Sequence, residues 1–187
     1  MEPVRTPART GLVRVWDPLV RLFHWGLATS FLVAFLTRHG GGDLHYWAGY
    51  AAGALIFVRL VWGVLGTRYA RFSQFVKSPP EVLRYFRDVA TGEEARYVGH
   101  NPAGGAMIVA LLVVLLATVA TGYLQTTDQF FGNEGVQKLH DLLGNGLLLL
   151  VLAHLVGVAV ASIRHRENLI RAMITGLKRP AQPGDVG

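Results

Sequence analysis

Four stretches of the chain, 19–37, 46–66, 104–124 and 139–163, are almost continuously apolar, and segments rich in polar residues, glycine or proline separate them. Each is close to the roughly 20 residues that an α-helix needs to cross a hydrocarbon core. The pattern predicts an all-α fold, an integral membrane four-helix bundle. Local punctuation supports these boundaries. Asp17 followed by Pro18 supplies an N-cap and a first helical residue that needs no donor, and Gly40, Gly41 and Gly42 break the chain after Thr37. Asn101 and Pro102 mark the entry to the third span in the same way. That span contains no charged residue or histidine, so packing and lipid contact are its expected roles.

Composition agrees with membrane insertion: 51% of the 187 residues are hydrophobic and 16% are charged, a balance unlike that of a soluble domain. The net charge of +6 does not indicate nucleic-acid binding, because the basic residues flank the apolar spans rather than covering a polar face. Up to Arg21 there are four Lys and Arg, the second loop carries six and the C-terminal tail five, whereas the other two connections carry only Arg38 and Lys138. Short basic segments stay cytoplasmic, so both termini and the loop 67–103 are expected on the cytoplasmic side of the membrane. The domain is expected to run from 15 to 179, between a flexible cytoplasmic tail at 1–14 and a disordered tail at 180–187. The first apolar run holds His24 and Trp25 near its start and lacks a small-residue cleavage site, which argues against a signal peptide. In the second loop, Val82, Leu83, Tyr85, Phe86 and Val89 follow Ser78-Pro79-Pro80 and share one helical face. Both a helix on the membrane surface and a solvated loop helix accommodate this.

The chain has no cysteine, which excludes disulfides, thiolate metal sites, iron–sulfur clusters and covalent haem attachment. Histidine is the remaining strong ligand. An intramembrane histidine is a functional candidate because polar groups at that depth are costly, although one alone can simply bond across helices. Here His140 and His154 stand fourteen positions apart on one helix. At 1.5 Å and 100° per residue, this places them about 21 Å apart along the axis and about 40° apart in azimuth. Each has a counterpart at its own depth: His24 near the inner end of the first helix, and His45 at the outer start of the second. Depth therefore pairs His45 with His140 outside and His24 with His154 inside. Two axial ligands per metal suit iron in a planar macrocycle, whereas zinc needs about four converging ligands. The four histidines are thus candidate metal ligands for two non-covalent haem b groups.

Three further residues are candidates around these cofactors. Gly49 and Gly144 each follow a candidate ligand by four positions, so either a porphyrin or a neighbouring helix could approach the backbone there. Arg59, fourteen residues after His45, would face the interior at the inner haem, where propionates could pair with its guanidinium; snorkelling to cytoplasmic water is the alternative. Arg21 and Arg164 at the inner face and Arg38 at the outer are weaker candidates. His39, His100 and His165 are expected at the surface. His39, Asp43, Asp128 and Gln129 could exchange protons at an outer quinone pocket, though nothing singles them out.

The segment from Val15 to Trp25, the Leu44-His45 and Gly49-Tyr50 pairs, the run Arg59 to Gly63, the Gly99-His100-Asn101-Pro102 motif and the tail from His165 to Leu169 resemble the bacterial cytochrome b561 family. That family includes the b-type cytochrome subunits of nickel–iron hydrogenases. The resemblance spans about 13–179 and implies a four-helix di-haem protein ligated by the same four histidines. It implies electron transfer between the quinone pool and a redox partner protein such as a c-type cytochrome, and a homodimer is compatible with it. The alternatives are a membrane-anchor cytochrome of a larger hydrogenase- or dehydrogenase-type complex, and a haem-free transporter or structural membrane protein.

Overall fold

The computed structural model describes residues 11–40 and 42–187; the first ten residues of the expected flexible tail, and Gly41, lie outside them. Four long apolar helices dominate: α1 (Pro18–Thr37), α2 (Asp43–Leu65), α5 (Pro102–Leu124) and α6 (Glu134–Arg164). Three short α-helices, α3 (Phe72–Phe75), α4 (Pro79–Thr91) and α7 (Leu169–Thr175), a 3-10 turn at Arg68–Ala70 and a pair of two-residue strands, β1 (Val13–Arg14) and β2 (Leu177–Lys178), complete the elements among the described residues. The helices form two hairpins, α1 with α2 and α5 with α6, and these meet mainly where α2 lies against α5.

Side-chain caps set most helix starts. The Asp17 carboxylate accepts from the Val20 amide at 2.9 Å, and the Asn101 side chain accepts from Gly104 at 2.7 Å. Ser78 and Glu81 form a reciprocal capping box on α4, which satisfies two otherwise orphaned amides. Both α2 and α6 begin before their apolar runs, at Asp43 and Glu134. Asn133 caps α6 by accepting from the Val136 amide, α2 starts at Gly42 without a side-chain cap, and neither first turn is buried, so hydropathy alone did not mark them. His45, one residue ahead of the expected span, is consequently a helical residue, and His140 lies in the second turn of its helix rather than at its start.

There are two cores. In the middle of the bundle, Ile56, Leu115 and Leu147 are buried together against Leu27, Phe31, Leu111, Val114 and Val119. Large apolar side chains such as Leu36, Phe57, Leu149 and Ile163 point outward instead, in an amount that requires lipid rather than water around the helices. The second core caps the cytoplasmic side expected from the charge distribution: Val15, Trp16, Val20, Ala70, Val98 and Ala172 pack as one cluster.

A buried ion network closes this cap. Arg96 pairs with Glu167 and with Asp185, and Lys178 pairs with Glu167 at 3.1 Å. The Arg96 guanidinium also donates to the carbonyl oxygens of Arg179 and Pro180. The tail 180–187, expected to be disordered, is therefore folded back: the Val98 amide donates to Val186, and the Val186 amide donates to Arg96. Likewise Val13 and Arg14, assigned to a flexible tail, pair antiparallel with Lys178 and Leu177. Neither segment has a hydrophobic signature; partners 70 or more positions away order them. Within the loop, α4 turns Tyr85 inward and leaves Leu83 and Phe86 exposed.

Candidate functional site

The four candidate histidines meet as two pairs, in the combination that depth suggested. At the end expected to be outer the His45 and His140 rings have centroids 6.1 Å apart, and at the end expected to be inner His24 and His154 are 6.4 Å apart. Two imidazoles on one iron, with metal–nitrogen bonds of about 2 Å, have ring centres about 6 Å apart. Among the described residues no three His, Asp or Glu side chains gather as one metal cluster. Each pair offers two donors, the number that a planar macrocycle leaves to the protein.

Backbone carbonyls fix the tautomers of the outer pair. His45 Nδ1 lies 2.9 Å from the carbonyl oxygen of Ala34 on α1, and His140 Nδ1 lies 3.0 Å from that of Thr118 on α5. A carbonyl only accepts, so Nδ1 carries the proton in both rings and Nε2 keeps its lone pair. That is the orientation a metal ligand needs. The Thr121 hydroxyl donates to the helix at Ala117 and Thr118 and offers its oxygen to the same His140 nitrogen at 3.1 Å. Gly122 makes room for the ring, because a Cβ there would stand 3.0 Å from His140 Cε1. The third span therefore orients the His140 ring, a contact beyond the packing and lipid contact expected of it. Thr118, Thr121 and Gly122 went unremarked in the sequence, where two threonines three apart were the available signal.

The inner pair is surrounded differently. His24 Nδ1 is buried with no hydrogen-bond partner among the described residues. Arg59 is buried, 7% exposed, and its guanidinium lies 4.9 Å from the Phe72 ring centre and 5.9 Å from that of Phe75. Its Nη1 is also buried and unpartnered among the described residues. A snorkelling side chain would be solvated, so the burial favours an anionic partner inside. Gly63 shapes the shelf beneath it: a Cβ there would overlap the Phe72 ring.

The other basic candidates are committed elsewhere. Arg164 pairs with Glu94 and donates to the Val89 carbonyl, Arg38 donates to Asn145 at 2.8 Å, and Arg21 donates to the Thr175 carbonyl at 3.0 Å. A Cβ on Gly49 or on Gly144 would meet nothing within 4 Å. Neither glycine is explained by a close helix contact, whereas Gly53 is tight against Val119 at 3.1 Å.

His100, expected at the surface, is instead held between the Trp16 and Phe75 rings, with centroids at 4.5 and 4.8 Å. Burial, reinforced by the Arg59 and Lys178 charges, pushes its imidazole down to about 3, so the ring is neutral at pH 7. Loop packing buried it; nothing local in the sequence foretold that. His39 is exposed and His165 half-buried. Of the residues considered for an outer quinone pocket, Asp43 lines an open groove of about 370 Å³ with Tyr46, Trp47, Tyr50, Gln125, Thr126 and Phe131; His39, Asp128 and Gln129 do not.

These features fit haem: paired imidazoles at ligation spacing, two glycine surfaces clear of helix contacts and a buried guanidinium with a free donor. Residues 15–176 match the prokaryotic cytochrome b561 family. The chain is also similar to probable Ni/Fe-hydrogenase B-type cytochrome subunits. It is 23% identical to that of Bradyrhizobium diazoefficiens, covering 88% of this chain and 85% of the relative. It is 22% identical to that of Rhizobium leguminosarum bv. viciae, covering 88% and 87%, and 23% identical to that of Azotobacter vinelandii, with the same coverage of 88% and 87%. No solved structure matches the chain. The chain belongs to the prokaryotic cytochrome b561 family and is a multi-pass membrane b-type cytochrome for electron transfer.

Proposed function

We propose that the chain carries electrons across a bacterial inner membrane through two b-type haems, between the quinone pool and a redox partner protein such as a periplasmic c-type cytochrome. The observation that carries this reading is the pair of histidine pairs, at 6.1 and 6.4 Å, stacked at two levels along α6. Bound haem supplies a one-electron iron couple at each level. The protein does the rest. His45 and His140 hold the outer site, with their Nδ1 protons fixed on Ala34 and Thr118. His24 and His154 hold the inner one. Arg59 neutralises propionate charge there, and Gly49 and Gly144 keep backbone surfaces open to a flat ligand. The apolar middle of the bundle excludes water between the levels. Basic flanks support a cytoplasmic position for both termini and the cap.

The test is reduction of the purified protein by a quinol in detergent, followed in the visible spectrum, then reoxidation by a c-type cytochrome. Full reduction at both levels supports the reading; haem that quinol leaves oxidised counts against quinone coupling. A second reading, a membrane-anchor cytochrome of a larger complex, draws support from the relatives, which are probable Ni/Fe-hydrogenase B-type cytochrome subunits. Isolation from native membranes together with a metalloenzyme subunit would favour it.

A further inference from the structure

Several buried polar atoms at this end of the bundle have no hydrogen-bond partner among the described residues, Arg21 Nε and His24 Nδ1 among them; two others, Arg59 Nη1 and His100 Nδ1, come from different elements and lie beside one ring. Arg59 belongs to α2, and His100 precedes the Asn101 cap of α5. Both groups border the same ring: the Phe75 centroid is 5.9 Å from the Arg59 guanidinium carbon and 4.8 Å from the His100 ring centre. His100 is also pinned in place. Trp16 covers it at 4.5 Å, and its neighbour Asn101 is tied to Gly104 at 2.7 Å.

The simplest alternative is a core histidine used as an aromatic spacer between Trp16 and Phe75. That alternative leaves its Nδ1 unsatisfied, which costs the desolvation of that nitrogen; a phenylalanine would fill the gap without that cost. Of the nearby cations, Lys178 is paired with Glu167 and donates to the Tyr97 carbonyl, whereas Arg21 donates to the Thr175 carbonyl and keeps a buried Nε without a partner among the described residues. Two free donors beside one ring suit an anion with at least two acceptor oxygens.

We propose that His100 is a cofactor-binding residue of the inner site, donating a hydrogen bond to a carboxylate of the same haem that Arg59 neutralises. This rests on the di-haem reading above. His100 contributes a neutral, directional donor and Arg59 the charge. Together they fix the propionate edge of the inner haem to the loop that closes the cytoplasmic cap, so that its orientation depends on the packing of α3 and of the Trp16 segment.

The test uses the full chain with its haem in detergent. H100F keeps the aromatic stack and removes the donor, while H100Q keeps a donor. The readouts are the rate of haem transfer to a scavenging apoprotein and a potentiometric titration. In H100F we expect one haem to leave about tenfold faster, the change that follows from losing one hydrogen bond to a charged acceptor, and its midpoint to move to lower potential while the other holds. H100Q should restore most of both. In H154A, which should retain only the outer haem, adding H100F should change neither readout. Wild-type rates and midpoints for both haems in H100F overturn the proposal. So does an effect that persists in the H154A background, which would mark a purely structural role or a lipid headgroup at the same donors. Collapse of H100F with loss of both haems counts against it unless H100Q retains both. Wild-type protein without haem overturns the di-haem reading itself, an outcome distinct from two firmly held haems indifferent to His100.

Discussion

His140 Nδ1 lies 3.1 Å from the Thr121 hydroxyl oxygen, one residue away from a glycine whose missing side chain leaves the imidazole its place. Because the Thr118 carbonyl accepts from the same nitrogen at 3.0 Å, the threonine is one of two restraints. Thr121→Val preserves shape and removes the hydroxyl. We expect the outer haem to be retained about fivefold less well, as for one neutral hydrogen bond, and the inner haem to be unchanged. Haem transfer to a scavenging apoprotein, resolved into two phases, measures this.

Replacing ligands separately tests the pairing by depth. His140→Ala and His154→Ala should each remove one haem and leave the other with its own midpoint potential, because the two sites share a helix but no ligand. Loss of both, or of neither, in a protein that still runs as a folded species on size exclusion would contradict the pairing. The absorption spectrum of each variant gives the answer.

Two glycines separate cofactor contact from helix packing. A Cβ on Gly63 would overlap the Phe72 ring, so Gly63→Ala should displace the shelf beneath Arg59 and lower thermal stability, by about 1–3 kcal/mol for overpacking. A Cβ on Gly49 meets nothing within 4 Å. Gly49→Ala should therefore leave the fold intact and weaken the outer haem alone. Melting curves and haem content, measured on both variants, distinguish the two effects.

The cap closed by Arg96 should open in acid. Burial raises Glu167, but the Arg96 hydrogen bond and the Lys178 charge outweigh it and the carboxyl ends below its ordinary 4.5. For Asp185 the Gln182 amide and Arg96 likewise outweigh burial, so it ends below 3.8. A carboxylate depressed by folding contributes stability that is fully present above its unfolded value and is lost as pH falls through its folded one. We expect amide exchange at 96–98 and 177–187 to be protected at neutral pH and to quicken as pH drops below about 4, relative to the intrinsic rate. Glu167→Gln, which leaves Arg96 and Lys178 sharing only Asp185, should open the cap at neutral pH, at a cost of about 3 kcal/mol.

What could be read from the sequence follows from the range of the forces involved. Hydropathy marks spans because each helix satisfies its own backbone and turns apolar side chains to lipid. The histidine pairs were equally legible, since helix rise and span direction fix depth without any knowledge of packing. The cap was not. Arg96 finds Glu167 and Asp185 across 71 and 89 positions, and a tail of Pro, Gly and polar residues gives no sign that a buried guanidinium will hold it. The same holds for His100, whose burial depends on Trp16 and Phe75 arriving from two other segments. Thr121 was hidden differently. In an apolar helix a threonine hydroxyl is satisfied by its own backbone, and only the arrival of α6 makes its oxygen a partner for His140.

The most direct test of the di-haem reading is the haem content of the purified chain, from the pyridine haemochrome spectrum set against protein concentration by amino-acid analysis. We expect two haem b per chain after expression with adequate haem. A preparation that saturates at one, or that shows no b-type signal, would contradict it.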